Sequence, residues 1–434
     1  MTPVAPRLTA LARELLGRPF PLRIRAWDGS EAGPPGEPVL VVRHRRALRR
    51  LMWRPGELGL ARAYVAGDLD VDGDLYRALD RLAGVVWGMS TGEAASRAGG
   101  PRRLADPRIR AAAGRLLALA GPLPPPPPPP EEVRHRGGAS HTRRRDARAI
   151  SHHYDVGNDF YGLVLGPSMV YSCAYWGDGI TGLEDAQTAK LDLVARKLGL
   201  AEGDRLLDVG SGWGSMAIHA ASAYGARVTG VTLSREQAAY ARKRVADAGL
   251  TDRIEIRVQD YRDVTDGPYD AISSIGMAEH VGSAKYHEYA TRLHGLLRPG
   301  GRLLNHQIAR RPEADEAAYH VDDFIDRYVF PDGELSPLGT TVNDLEAAGF
   351  EVRDVESIRE HYALTLRSWV RNLDADPGRA ARLTSPGRAR VWRLYMAASA
   401  LSFERNRIGV NQVLAVRPGV GGDSGLPLRT RVWS

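Results

Sequence analysis

The chain has 434 residues, a formal net charge of +7 and 43% hydrophobic residues, enough for one large domain, a smaller companion and a sizeable core. Its longest uncharged apolar runs, such as 116–121 and 413–416, are far too short to cross a bilayer. Residues 1–14 hold no long apolar stretch of the kind a secretory signal needs, so a cytoplasmic protein is expected. A single cysteine, Cys173, excludes an internal disulfide and a multi-cysteine zinc site. The positive charge is almost all arginine, with lysine only at 190, 197, 243 and 285. GC-rich coding explains such a bias; clusters at 43–50 and 134–148 also suit an anionic surface.

In chain order, apolar spacing predicts a helix over 8–16, alternation predicts a strand over 22–27, and a short apolar run predicts a buried strand over 38–43. Helices are expected at 47–53 and 58–65. Asp68, Asp70 and Asp72 then crowd between Gly67 and Gly73. Their spacing departs from a calcium loop, and Leu79 stands where the twelfth-position glutamate would be, so a solvated turn without metal is expected. The proline run within 122–130 must be extended, because proline fixes φ and cannot donate to a helix or sheet. Residues 118–146 read as a linker or mobile surface loop between a small α+β domain, 1–117, and a larger domain, 147–434.

Beyond the linker, helix and strand alternate. Thr181 and Glu184 read as a capping box, with Thr181 as N-cap of a helix running to about 198. Strands are expected at 205–209, 227–231, 254–258, 269–274 and 301–307, with helices at 215–224, 235–248 and 286–297. This rhythm predicts an α/β fold with a doubly wound, mostly parallel sheet covered on both faces.

The first turn of that sheet reads Leu206-Leu-Asp-Val-Gly-Ser-Gly-Trp-Gly214. Glycines at 210, 212 and 214 let the backbone turn tightly and approach a ligand closely. A dinucleotide site would show GxGxxG and an acidic residue about 20 positions on; both are missing. A nucleoside cofactor without a pyrophosphate is the better reading. Asp208 at the strand end and Asp260 at the third strand's edge complete a set that resembles class I S-adenosylmethionine-dependent methyltransferases.

From 151 to about 416 the chain resembles the cyclopropane-fatty-acyl-phospholipid synthase family, which includes the mycolic acid cyclopropane synthases. The motifs are His153-Tyr-Asp-Val-Gly-Asn158, Tyr171-Ser-Cys-Ala-Tyr-Trp176, the glycine turn, Gly230-Val-Thr-Leu-Ser234 with Gln237, Gln259-Asp-Tyr-Arg262 and Gly276-Met-Ala-Glu-His-Val-Gly282. The resemblance makes 147–434 a methyltransferase catalytic domain and 1–117 an accessory domain. It implies that Tyr171 and Ser172 face S-adenosylmethionine, that Trp213, Thr232, Leu233 and Gln237 line its site, and that Asp260 and Tyr261 lie by the adenine. It further implies a bicarbonate ion held by Cys173, Glu279, His306 and Tyr362. A second family cysteine, in the late helix expected at 395–403, is Ser399 here, a departure from the family pattern.

What the resemblance implies chemically is C-methylation of the cis double bond of an oleoyl-type phospholipid chain. A carbocation forms and is deprotonated by the bound bicarbonate, giving a methylene precursor of tuberculostearic acid or a cyclopropane. His306 is expected to relay the proton, since an unperturbed imidazole titrates near working pH. The implied partners are a membrane phospholipid, a peripheral membrane surface at the inner face and a reductase, with no nucleic acid; a homodimer is allowed. Residues 321–331 resemble a stretch near the acyl entrance, and Trp392, Tyr395, Met396 and Phe403 are candidate tunnel lining. Two readings stay open: a methyltransferase with another small-molecule or nucleic-acid substrate, which would share the glycine turn, and a catalytically inactive lipid-binding protein.

Overall fold

A computed structural model of the chain describes residues 2–90, 107–121, 124–133, 156–316, 319–331, 333–429 and 431. The arginine cluster at 134–148 and the first residues of the His153–Asn158 motif, 153–155, lie outside the described residues. The chain packs as two units. The first comprises residues 1–135 with 322–329 and 385–401; the second comprises 136–321, 330–384 and 402–434. The first unit therefore takes in two short segments from beyond the proline run.

The first unit contains a four-stranded sheet in the order β2-β1-β3-β4. Its strands are β1 (Arg23–Arg25), β2 (Glu31–Ala32), β3 (Val39–Val42) and β4 (Leu69–Asp72). The helix expected at 8–16 begins earlier and spans Val4–Leu16, burying Val4, Ala5, Leu8 and Leu11. These side chains join Leu22, Ile24, Leu40, Val42 and Leu69 in one apolar cluster.

The expected solvated turn at 67–73 is instead strand β4, and its carboxylates are taken by arginines. Asp68 is 1% exposed and accepts from Arg46 Nε at 2.9 Å and Arg50 Nε at 3.0 Å. Asp70 pairs with Arg43 and Arg390, and Asp72 with Arg25. Residues distant in sequence supply most of these cations, which local spacing could not reveal. Asp68→Ala would leave the buried Arg50 uncompensated and is expected to cost about 3 kcal/mol. Chemical denaturation of the full chain, followed by a probe in the first unit, checks this.

Part of the proline-rich segment is also held in place. Arg50 donates to the carbonyl of Pro127 at 2.8 Å, Glu132 accepts from Arg62 and from the Tyr328 hydroxyl, and Ser385 donates to Glu131. The helix Asp323–Tyr328, within the 321–331 stretch, is capped by Asp322, which accepts from the amides of Phe324 and Ile325.

The second unit is built on a seven-stranded sheet in the order β10-β11-β9-β8-β5-β6-β7. The strands are β5 (Arg205–Val209), β6 (Arg227–Thr232), β7 (Ile254–Val258), β8 (Tyr269–Ile275), β9 (Leu297–Arg310), β10 (Glu351–Ser357) and β11 (Ile408–Val416). From β9 to β7 all neighbours are parallel; β11 runs antiparallel to β9 and to β10. The sheet therefore has the expected doubly wound, mostly parallel form, with β9 extended at both ends and an antiparallel edge added. Alternate residues feed two apolar cores: Leu206, Val228, Leu304 and Leu414 on one face, Leu207, Val231, Leu303 and Val413 on the other.

One local expectation fails. The helix Leu183–Leu198 is capped by extended Gly182 with no side-chain cap bond. The Glu184 carboxylate does not return to Thr181; it accepts from the Ser168 amide at 2.9 Å, satisfying a turn that carries no capping signal of its own.

Candidate active site

From β5 the chain runs outward to β6 and β7, then returns beside β5 as β8 and continues to β9. The strand order reverses between β5 and β8, and the crevice beyond the carboxyl ends of strands at such a point is where open α/β sheets bind ligands. The glycine turn lies there. Gly210, Gly212 and Gly214 have φ of 77°, 52° and 81°, in the left-handed region that glycine alone enters cheaply. The amides of Gly210 and Ser211 both donate to the Val231 carbonyl, at 2.9 and 3.0 Å, so β6 fixes the turn.

A cavity opens at this turn. It is lined by Tyr171, Ser172, Asp208, Gly210, Gly212, Trp213, Thr232, Leu233, Gln237, Asp260 and Tyr261. Gly214 does not line it; a Cβ there would meet the Ala241 Cβ at 3.2 Å, so its role is close packing of the helix Arg235–Asp247. Trp213 is held by a 2.7 Å bond from its indole N–H to Asn158, and Thr232 Oγ1 donates to Gln237 Oε1 at 3.1 Å. Asp260 turns its oxygens to the Arg262 amide and guanidinium at the cavity edge.

Asp208 is 2% exposed. Ser273 donates to its Oδ1 at 2.7 Å, while Oδ2 has no hydrogen-bond partner among the described residues. Burial raises its pKa to about 6, against the opposing pull of Ser273 and Lys190. An open carboxylate oxygen facing a cavity suits a ligand carrying a donor or a positive charge. The cavity thus fits the ammonium-bearing S-adenosylmethionine.

Lys190, not singled out as a site residue, also lines the cavity. It is 1% exposed, donates to Ser172 Oγ at 3.0 Å, and is lowered by burial to about 8, with Cys173 and Asp208 opposing. Gln187, one helical turn earlier, donates to the Ser172 carbonyl at 3.0 Å. Together they hold the Tyr171–Trp176 segment. A lysine in a chain with only four is the signal that marks this position.

Of the four residues expected around the reacting carbon, His306 lies on β9 and Glu279 is hydrogen-bonded to the end of that strand. The Gly276 amide donates to the His306 carbonyl at 2.8 Å, and Glu279 Oε1 accepts from the Ile308 amide at 2.7 Å. Glu279 and His306 are thereby tied to one strand end. Glu279 Oε2 and His306 Nε2 are both buried, and neither has a hydrogen-bond partner among the described residues. Burial raises the Glu279 carboxyl to about 7. The same burial, with Lys190 and Lys197 adding, pushes His306 well below the usual imidazole range. Burial thus favours the neutral imidazole, and so a hydrogen-bonding His306 over the titrating one that the expected relay requires.

Cys173 is fully buried and its thiol lies against the carbonyls of Ala174, at 3.2 Å, and Ile358, at 3.7 Å. Burial raises its pKa well above the ordinary range, which favours the neutral thiol. Tyr362, on the helix Arg359–Ala375, packs its ring 4.7 Å from Phe403 and 6.0 Å from Trp369. Trp369 continues to Tyr171 at 5.3 Å, Tyr171 to Tyr161 at 5.7 Å, and Tyr161 to Trp213 at 4.7 Å. An unbroken row of aromatic rings thus joins the glycine turn to Tyr362. Of the candidate lining residues, Phe403 lies in this unit; Trp392, Tyr395 and Met396 are buried in the first.

The sheet, the glycine turn and its cavity are those of a class I S-adenosylmethionine-dependent methyltransferase. The sequence profile of mycolic acid cyclopropane synthetase matches residues 141–413. The chain is 44% identical over 414 residues to a probable fatty acid methyltransferase of Mycobacterium tuberculosis, covering 94% of both chains. It is 34% identical to the tuberculostearic acid methyltransferase of the same organism, over 96% of this chain and 93% of that one. Among solved structures, mycolic acid cyclopropane synthase CmaA1 complexed with SAH and CTAB superimposes with a TM-score of 0.59 at 33% identity, covering 62% of this chain and 97% of that chain. The chain belongs to the mycolic acid cyclopropane synthetase family and is an S-adenosylmethionine-dependent methyltransferase.

Proposed function

We propose that this enzyme methylates the cis double bond of an oleoyl-type acyl chain in a membrane phospholipid. The observation that carries the reading is the pair of buried polar atoms without a partner among the described residues, Glu279 Oε2 and His306 Nε2, joined to the Gly276–Met277 turn that lines the cofactor cavity. Methyl transfer to a nitrogen or oxygen uses a lone pair, and any proton lost comes from an acidic heteroatom. Methyl transfer to an alkene leaves a carbocation that must lose a proton, and that requires a sheltered acceptor. The relatives named for fatty acid and tuberculostearic acid methylation support the substrate class.

S-adenosylmethionine, when bound, supplies the electrophilic methyl group. Asp208, Gln237 and the glycine turn would hold it, and Lys190 and Gln187 fix Ser172 at the cavity wall. The alkene π electrons form the new C–C bond as the methyl–sulfur bond breaks. Positioning accounts for much of the rate, because an isolated alkene is a poor nucleophile. The aromatic row of Tyr171, Trp369, Tyr362 and Phe403 offers π faces to the cation and keeps water out.

The cation has two outlets. Proton loss from the new methyl with ring closure gives a cyclopropane; a hydride shift followed by the same proton loss gives an exocyclic methylene. Glu279, His306, Tyr362 and Cys173 would hold a bicarbonate ion, whose chemistry is that of an oxygen base that resists alkylation better than a carboxylate. The open Glu279 and His306 atoms fit such a guest. Glu279 in its ionised form receives the proton at Oε2, and His306 stays neutral throughout.

The same reading places the enzyme on the inner face of a membrane as a peripheral protein. No helix among the described residues is long and apolar enough to cross one. Of the 43–50 cluster, Arg43 and Arg46 pair with aspartates yet keep 60% and 50% of their side chains exposed, and Trp53 is 61% exposed. Basic and aromatic side chains together suit an anionic lipid surface.

Incubation with oleoyl-phospholipid vesicles and S-adenosylmethionine, followed by proton NMR of the extracted chains, tests the proposal. Vinylidene protons identify the methylene product and upfield ring protons the cyclopropane. Unchanged lipid across a panel of unsaturated phospholipids, with cofactor binding verified, would refute it.

A further inference from the structure

Behind His306 lies a buried polar chain that the reaction just described does not use. Gln412, on β11, stands opposite His306 in the strand register, and its side-chain Nε2 lies 3.3 Å from His306 Nδ1. Its Oε1 accepts from Lys197 Nζ at 2.7 Å. Lys197 is 0% exposed and also donates to Glu356 Oε2, whose other oxygen accepts from the Tyr175 hydroxyl at 3.1 Å.

The polarity of this chain can be read from one end. Glu356 is held below the usual carboxylate range, burial being outweighed by Lys197 and Tyr175, so it is an acceptor. Lys197 beside it is a donor with no acceptor capacity. The atom of Gln412 that meets Lys197 is therefore its carbonyl oxygen, and the atom that meets His306 is its amide N–H. A donor facing Nδ1 requires a lone pair there. The imidazole proton of neutral His306 is then on Nε2, the atom that has no partner among the described residues.

We infer that Lys197 and Gln412 are positioning residues that lock His306 as its Nε2–H tautomer, so that it meets the reacting centre as a hydrogen-bond donor and not as a base. The inference deepens the proposed function and rests on it for the placement of His306 at that centre. A donor at Nε2 suits an anionic guest or a developing negative charge. It also leaves Glu279 as the proton acceptor of the pair, so the two residues have complementary tasks. The lock is built from groups distant in sequence: His306 and Gln412 are 106 positions apart, Lys197 and Gln412 215.

The test is long-range proton–nitrogen NMR of the full chain labelled with nitrogen-15 at histidine, with His306 assigned by its absence in His306→Gln. The expected pattern is a protonated Nε2 and a bare Nδ1. Gln412→Glu replaces the amide donor with a carboxylate, keeps the contact to Lys197, and is expected to move a proton onto Nδ1. Its turnover should fall roughly 10²-fold while S-adenosylmethionine affinity is retained; Gln412→Ala, which removes the donor without reversing it, should lose less. A wild-type Nδ1–H pattern would overturn the lock, as would an unchanged pattern in Gln412→Glu. Because the spectrum is recorded without lipid, it fails or succeeds separately from the substrate assignment.

Discussion

Glu279→Gln is expected to lower methyl transfer by about 10²- to 10⁴-fold, the range associated with a positioned proton acceptor, while S-adenosylmethionine binds as tightly as before. The substitution keeps an oxygen for the Ile308 amide and places a neutral NH₂ where Oε2 stands open. Since burial raises the wild-type carboxyl to about 7 and only its ionised form accepts a proton, wild-type kcat/KM should climb as pH rises through about 7. The variant's residual activity should lack that limb. Stability moves oppositely. The folded value lies above the ordinary 4.5, so burial of the neutral acid is undisturbed at low pH, and the cost of ionisation accumulates between pH 4.5 and about 7. Above that window the glutamine variant should be more stable than wild type by roughly 3 kcal/mol. Parallel pH series of turnover and thermal unfolding check both signs. Wild-type turnover in a folded variant would remove Glu279 from the mechanism.

Lys190→Met should weaken S-adenosylmethionine binding by about 10- to 100-fold, the equivalent of one charged hydrogen bond. Two losses combine. Ser172 Oγ loses its 3.0 Å partner, so the Tyr171–Trp176 segment is less fixed. The lysine charge, which helps keep Asp208 near 6, also disappears, so Asp208 shifts further towards its neutral form and attracts a cationic ligand less. Isothermal titration at pH 7 measures the change, and raising the pH should recover part of it by ionising Asp208. Wild-type affinity in the methionine variant would show that the lysine serves only the fold.

Much of the second unit can be read directly from its residues. Strands β5 to β8 are short apolar runs between glycines and helical periods, so their pattern survives without knowledge of the fold. The glycine turn reads as a ligand turn because three left-handed positions in five residues have little other use. The antiparallel edge is less legible: β10 carries Glu351, Arg353, Asp354 and Glu356, and no alternating apolar face announces it. The aspartates of β4 were visible as a group, yet their partners Arg25, Arg43 and Arg390 come from three separate parts of the chain. The Lys197–Gln412–His306 chain is hidden for the same reason. Local pattern reports burial and turn chemistry; it does not report which distant side chain will complete a buried polar group.

Proton loss from the transferred carbon is read most directly with S-adenosylmethionine carrying a fully deuterated methyl group and oleoyl-phospholipid vesicles, by mass spectrometry of the recovered acyl chains. Both outlets of the carbocation take one hydrogen from the transferred carbon. The expected product is therefore an acyl chain one carbon longer in composition that keeps two of the three deuterons. Retention of all three deuterons would mean that no proton is removed from the new methyl, and it would contradict the assignment of Glu279 as acceptor in that step.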